Sequence, residues 1–398
     1  MRGLAALALA LALTLTGQAH AQSLRGMAEL RLGATDGEKS WLDGGFGKAG
    51  KTDFGLSQAV LEYRQSLGFS TSAVVSAQYQ PDVSPKFDLD EAYLKFRAPP
   101  LAMGRFSARA GVFYPPVSQE HTGVGWTTPD TLSASAIDTW IGEEVKVGGV
   151  EATFERSFGE HEVAVTGAVF GWNDTSGTLL TFRGWSLGEA RTGRKTEFEL
   201  PPLSPFMATK QADETYPMDE LDRRAGYYGR IEWRPPAPVT FHALYYDNRG
   251  DLTSVKDLQW AWETHFLNVG TTWEPNERTR VLAQALSGRT LMGFRTPQIW
   301  ADAGFRSAYL LASRQVANET LTGRLDWFEV NDHSWQVIDN NDETGWAATA
   351  AWRHPLIPHA DLLIEAQHID SKRPSRALAG EAARQDQNIL QTALRLSF

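Results

Sequence analysis

Residues 115–144 read PPVSQEHTGVGWTTPDTLSASAIDTWIGEE. They carry the acids Glu120, Asp130, Asp138, Glu143 and Glu144 and no Lys or Arg. Elsewhere, alternating polar positions present Arg64, Lys95, Arg109, Arg230 and Arg324, interleaved with Glu62, Glu91, Glu232 and Asp326. If that acidic segment faces the basic groups across a narrow wet passage, the field between them orients dipolar, hydrated solutes and sets a weak ion preference. For any single residue the better reading is a charge that solvates a wet wall and pairs with a neighbour. The weight therefore rests on the constellation. Trp126 and Trp140 add aromatic faces suited to sugars or aromatic solutes, although loop packing accounts for them equally well.

The sequence makes no comparable case for covalent chemistry. A nucleophilic site needs Ser with His, or Asp with His, brought together. His242 and His265 are the histidines on strand-like segments, and no catalytic signature flanks either. Residues 45–51, GFGKAGK, lack the glycine spacing and the following helix of a phosphate loop and read as a Gly-rich surface loop. With no cysteine there is neither a disulfide framework nor a thiolate metal site. No metal-ligand cluster or cofactor motif stands out, and calcium on acidic loops stays open. A net charge of −10 and a pI near 5.5 argue against nucleic acid as a partner. The expectation is that the chain is not an enzyme.

The elements that must position these charges are strands. Residues 1–21 open with Arg2, run apolar over 4–15 and end Ala19-His20-Ala21, the layout of a cleavable signal peptide. The apolar run is too short to cross a bilayer as a helix, and no second long one follows. The rest, 22–398, reads as one domain of about sixteen period-two segments with one greasy and one polar face. In 105–114, for example, Phe106, Ala108, Ala110, Val112 and Tyr114 alternate with Arg105, Ser107 and Arg109. Segments 145–155 and 162–172 are less regular and suggest bulges or glycine kinks. The last segment, 388–398, sets Leu390, Leu394, Leu396 and Phe398 against Gln391, Ala393, Arg395 and Ser397. A terminal strand is an exposed edge unless it pairs with the first and closes a barrel.

The connections alternate in length. Short ones fall at 66–68, 99–103, 157–161, 235–238, 274–277, 315–318 and 354–358. Long ones fall at 34–53, 80–86, 115–144, 173–225, 248–263, 288–304, 331–344 and 369–387. A soluble sandwich has no reason to sort its loops by parity. An even strand number also returns both ends to one side.

The pattern resembles the sixteen-stranded porin superfamily of bacterial outer membranes, and most resembles the branch that includes phosphate-selective porins. The resemblance covers nearly the whole of 22–398 and is one of architecture. It implies an all-β transmembrane antiparallel barrel with short periplasmic turns and long extracellular loops, in the outer membrane of a Gram-negative bacterium. It implies that the third loop, 115–144, folds into the lumen as a constriction; within that loop the residues themselves suggest a short helix over 133–140, capped near Thr131 or Ser133. Loop 173–225 then stays outside. The lining set is Glu120, Asp130, Asp138, Trp140, Glu143, Glu144, Glu62, Arg64, Glu91, Lys95, Arg109, Arg230 and Arg324. The implied function is passive diffusion of small hydrophilic solutes or ions. A channel selective for sugars, anions or aromatic acids is the first alternative, and a barrel enzyme or surface-binding barrel the second. Phosphate-selective members are expected to carry Lys in the constriction loop, and this loop has none. The implied partners are lipid and lipopolysaccharide, the barrel assembly machinery through the strand ending at Phe398, and two further copies in a homotrimer. No cofactor is implied.

Overall fold

The computed structural model describes residues 22–100, 103–294, 299–336 and 339–398. The expected signal peptide, 1–21, lies outside the described residues. Strand β1 is Gln22–Thr35, β2 Asp53–Ser66, β3 Thr71–Tyr79, β4 Phe87–Arg97, β5 Arg105–Phe113, β6 Val147–Phe158, β7 His161–Gly171 and β8 Gly226–Arg234. Strand β9 is Val239–Asp247, β10 Glu263–Asn276, β11 Thr279–Met292, β12 Ala301–Val316, β13 Glu319–Asp332, β14 Glu343–Ile357, β15 Ala360–Lys372 and β16 Arg384–Ser397. All neighbours are antiparallel, and the sixteen form a closed barrel in chain order.

Closure runs through β1 and β16, in register from Met27 opposite Ser397 to Thr35 opposite Ile389. Gly26 and Phe398 exchange two backbone hydrogen bonds of 3.0 Å. A Cβ on Gly26 would stand 2.5 Å from the Phe398 ring, so glycine leaves that ring room to lie on the seam. No edge remains for another chain to pair with.

Alternation decides which way each side chain points. Leu94, Val165, Ile231, Leu267 and Leu325 are exposed on the outer face. Trp233, Phe241 and Trp273 stand near the short-turn rim, and Tyr227, Tyr245, Trp327 and Trp346 nearer the other, the placement of two interfacial girdles. Strand parity also keeps the loops sorted, short at one end and long at the other. The bulges expected in 145–172 are absent: β6 pairs with β7 without a register shift. Shifts sit instead at Glu29/Leu30, Val75/Ala77, Trp273/Asn276 and Pro355/Ile357.

The interior departs from a water-filled lumen. Every residue from 131 to 147 and from 173 to 193 is buried. The first run holds α1, Ala136–Glu144, and the second holds the short α2, Thr178–Phe182. Trp140 and Ile141 of α1 and Leu180 and Trp185 of the second run pack with inward-facing Phe266, Phe305, Tyr246 and Phe328 in one apolar core. Trp140 meets Phe305 at 5.1 Å and Phe266 at 5.5 Å between ring centres. Sixteen strands enclose more space than their own side chains fill, and here two loops fill much of it.

The front of the fourth loop, 173–193, thus lies inside rather than outside. Its later part, with the two-residue pairing of Phe198–Glu199 and Glu214–Thr215, continues beyond the strands. Helix α1 starts three residues later than expected. Ser135 is its cap, accepting from the Asp138 N–H at 3.2 Å. Residues 132–134 are kept out of the helix because their backbone groups bond to the wall.

Candidate functional site

The third loop is tied to the inner wall by arginines. On β13, Arg324 reaches Asp326 at 2.8 Å and Glu120 at 3.2 Å, and donates to the carbonyls of Ser133 at 2.6 Å and Ala134 at 2.9 Å. Glu120 also accepts from the Ser135 N–H at 3.1 Å. On β16, Arg395 bonds Glu29 at 2.7 Å and donates to the carbonyls of Thr128, Pro129 and Thr131. Arg31 reaches the carbonyl of Leu132 at 3.1 Å, and Glu365 on β15 accepts the Leu132 N–H at 2.7 Å. An arginine fork suits this task because its donors are rigid and match paired acceptors.

The expected lining residues separate into three groups. Glu120, Asp138, Trp140, Glu143, Glu144 and Arg324 are buried and hold the loops together. Glu143 pairs with Arg183 at 2.5 Å and accepts from the Trp41 indole, which ties loop three to loops four and one. Glu144 accepts from the Trp140 indole at 2.6 Å and the Leu179 N–H at 2.7 Å. Burial pushes the Glu144 carboxyl up to about 7, those bonds and Arg183 only partly opposing it. Burial and then the charge of Glu120 push Asp138 well up, towards the neutral acid; its Oδ2 lies 3.4 Å from the Tyr309 hydroxyl.

Asp130 alone forms the second group. It reaches Arg280 at 2.8 Å and Arg353 at 3.3 Å and lines a cavity of about 770 Å³ at the short-turn end, beside Thr320 and Ser313.

Glu62, Arg64, Glu91, Lys95, Arg109 and Arg230 form the third group, on β2, β4, β5 and β8. These residues do not face the acidic loop as a basic wall. Arg64 and Arg25 share Glu62, Arg109 takes Glu151 at 2.8 Å, and Arg230 takes Glu232 at 2.5 Å. Glu91 accepts the Tyr114 N–H at 3.1 Å, where the third loop begins. Lys95 has no hydrogen-bond or ion-pair partner among the described residues. Of the basic groups that do meet the loop acids, Arg324 was among those expected, whereas Arg280, Arg353 and Arg183 were missed by sequence reasoning. Arg395 and Arg31 were visible on the polar faces of β16 and β1, but nothing in the sequence said what they would reach.

His242 faces inward and meets Asn268 at 3.0 Å and Gln119 at 3.2 Å, so its ring is held by amides. Among the described residues, Asp174, Glu220 and Asp222 in the fourth loop bring carboxylate oxygens within 4.8 Å of one another. Backbone amides already occupy them: Leu221 and Asp222 on Asp174, Trp172 and Arg223 on Glu220.

No family model matches the chain, and neither does any curated protein sequence. Solved structures do match. The outer membrane channel DcaP of Acinetobacter baumannii aligns with a TM-score of 0.61 at 10% identity, over 95% of this chain and 97% of that one. An anion-selective porin from Comamonas acidovorans aligns with a TM-score of 0.53 at 13% identity, over 96% of this chain and 100% of that one. OmpT, an outer membrane protein of Vibrio cholerae in trimer form, aligns with a TM-score of 0.52 at 9% identity, over 96% and 100%. At these identities the likeness is one of fold alone.

Proposed function

We propose that this chain is a porin-type channel of the Gram-negative outer membrane, passing small hydrophilic solutes or ions by passive diffusion. The observation that carries the reading is the two-faced barrel. An apolar outer face with two aromatic rims suits lipid, while the inner wall of β2, β4, β5 and β8 is charged and partly open to water. Side-chain exposure there is 48% at Arg64 and 18% at Arg109.

A second reading is favoured by a specific observation. Residues 131–147 and 173–193 are continuously buried, so two loop segments take up space inside the barrel. We therefore favour a narrow, substrate-selective route, for sugars, anions or aromatic acids, over an unselective one. Assembly through the strand ending at Phe398, contact with lipopolysaccharide, and a homotrimer belong to the same proposal.

The test is reconstitution of the purified chain into planar bilayers. Discrete, long-lived current steps are expected, small for a sixteen-stranded barrel. A protein that inserts, shows heat-modifiable gel mobility and never conducts removes the channel reading. A chain that stays soluble without detergent removes the membrane reading as well.

A further inference from the structure

The short-turn end of the β1–β8 wall holds a charge imbalance. Glu62 is shared by Arg25 and Arg64. Glu151 is taken by Arg109. Arg105 spans Glu155 and Glu162, and Arg234 bonds Glu162 and Glu232, the latter also held by Arg230. Every one of these carboxylates is engaged by arginine. Lys95 and Arg97, on the same inward face of β4, are left over: among the described residues neither side chain has a hydrogen bond or an ion pair. They stand two residues apart on one strand, about 6.5 Å between Cα atoms. Lys95 is half-buried, stands opposite Arg109 across the β4–β5 pair, and lies in electrostatic reach of Arg64, Arg97, Arg109 and Glu151; Arg97 is exposed. Like charges repel, so leaving two cations unpaired beside others costs stability. The cost is offset when an anion sits between them. The chain as a whole carries −10, so this is a local excess against the global sign.

We propose that Lys95 and Arg97 form an anion-binding subsite at the short-turn mouth, for a small carboxylate- or phosphate-bearing solute. The proposal rests on reading this wall as the wet part of a channel, and it places the selective contact on β4, away from the acidic third loop. Arg64 and Arg109, partly neutralised by their glutamates, raise the local potential without closing on the solute. Tyr93 follows on the same inward face, under the Arg109 guanidinium at 5.7 Å.

The experiment is calorimetric titration of the detergent-solubilised full chain at low salt, with inorganic phosphate in one arm and acetate in the other. Saturable binding is expected in at least one arm; the arm that binds tells phosphate from carboxylate. In Lys95→Gln/Arg97→Gln, affinity should fall about tenfold or more, and raising potassium chloride should weaken binding to the native chain. Arg384→Gln, at an exposed arginine on the long-loop side, should bind as the native chain does. Heat-modifiable mobility confirms that each variant is folded, and the two single variants serve where the double one is not. No saturable binding to the native chain, or equal binding by the folded double variant, overturns the proposal. Conductance is scored separately: binding without current keeps the subsite and loses the channel, and current without binding does the reverse.

Discussion

Arg324→Met tests the claim that buried arginines hold the third loop inside the barrel. Methionine roughly keeps the length of the side chain and removes its charge and donors. Asp326 and Glu120 lose their partner, and the carbonyls of Ser133 and Ala134 lose their donors. Both carboxylates are buried, so neither recovers full hydration while the loop stays docked. Breaking a buried pair from one side costs about 3–5 kcal/mol. At about 1.4 kcal/mol per factor of ten, the docked-to-undocked ratio falls by roughly a hundred- to several-thousand-fold. The assay follows from composition: trypsin has no site in 115–144, whereas a glutamate-specific protease has Glu120, Glu143 and Glu144. The native loop should resist that protease and the variant should be cut within the loop, with a larger unit conductance. Arg324→Met/Glu120→Gln/Asp326→Asn, which removes the charges together, should regain most of the protection. If Arg324→Met is as resistant as the native chain and melts at the same temperature, the anchoring argument is wrong.

Gly177→Ala addresses the fourth loop. Gly177 has φ of 112°, and an added Cβ would press on the Thr290 hydroxyl, so 173–193 should lift from the wall and expose Arg183 and Arg191 to trypsin; unchanged trypsin resistance would contradict the packing. Trp140→Ala removes the centre of the internal apolar core at a cost of about 3–5 kcal/mol, read as an earlier loss of the heat-resistant gel form, and an unmoved transition would speak against a dry interior. Glu144 supplies a pH dependence. Burial raises its pKa from 4.5 to about 7, so the docked state binds the proton more tightly than the undocked one. Docking is then firmest below about 4.5 and weakens as pH rises through about 7. Proteolysis of the third loop should quicken across that window, and Glu144→Gln should flatten the profile.

The barrel was legible because lipid on one side and polar groups on the other impose a period of two on every strand. Strand ends were less legible. Strand β11 runs to Met292 and β12 begins at Ala301, past the segments suggested by alternation, because extensions beyond the bilayer need no greasy face. The charges of 115–144 were readable as a set, and their partners were not. Arg280 and Arg353 lie more than a hundred residues away, and only the closed barrel brings them to Asp130. The front of the fourth loop carried a signal that went unused: Leu179, Leu180, Phe182, Trp185 and Leu187 are a poor choice for a solvated loop and a good one for an interior.

The arginines of the seam have a consequence for order in time. Arg395 arrives with the last strand and pairs with Glu29 of the first, and it and Arg31 donate to the carbonyls of Thr128, Pro129, Thr131 and Leu132. That part of the third loop is synthesised long before its clasp exists. It must wait, unlatched, until the two ends of the chain meet, so its seating marks a finished molecule and its looseness a half-made one.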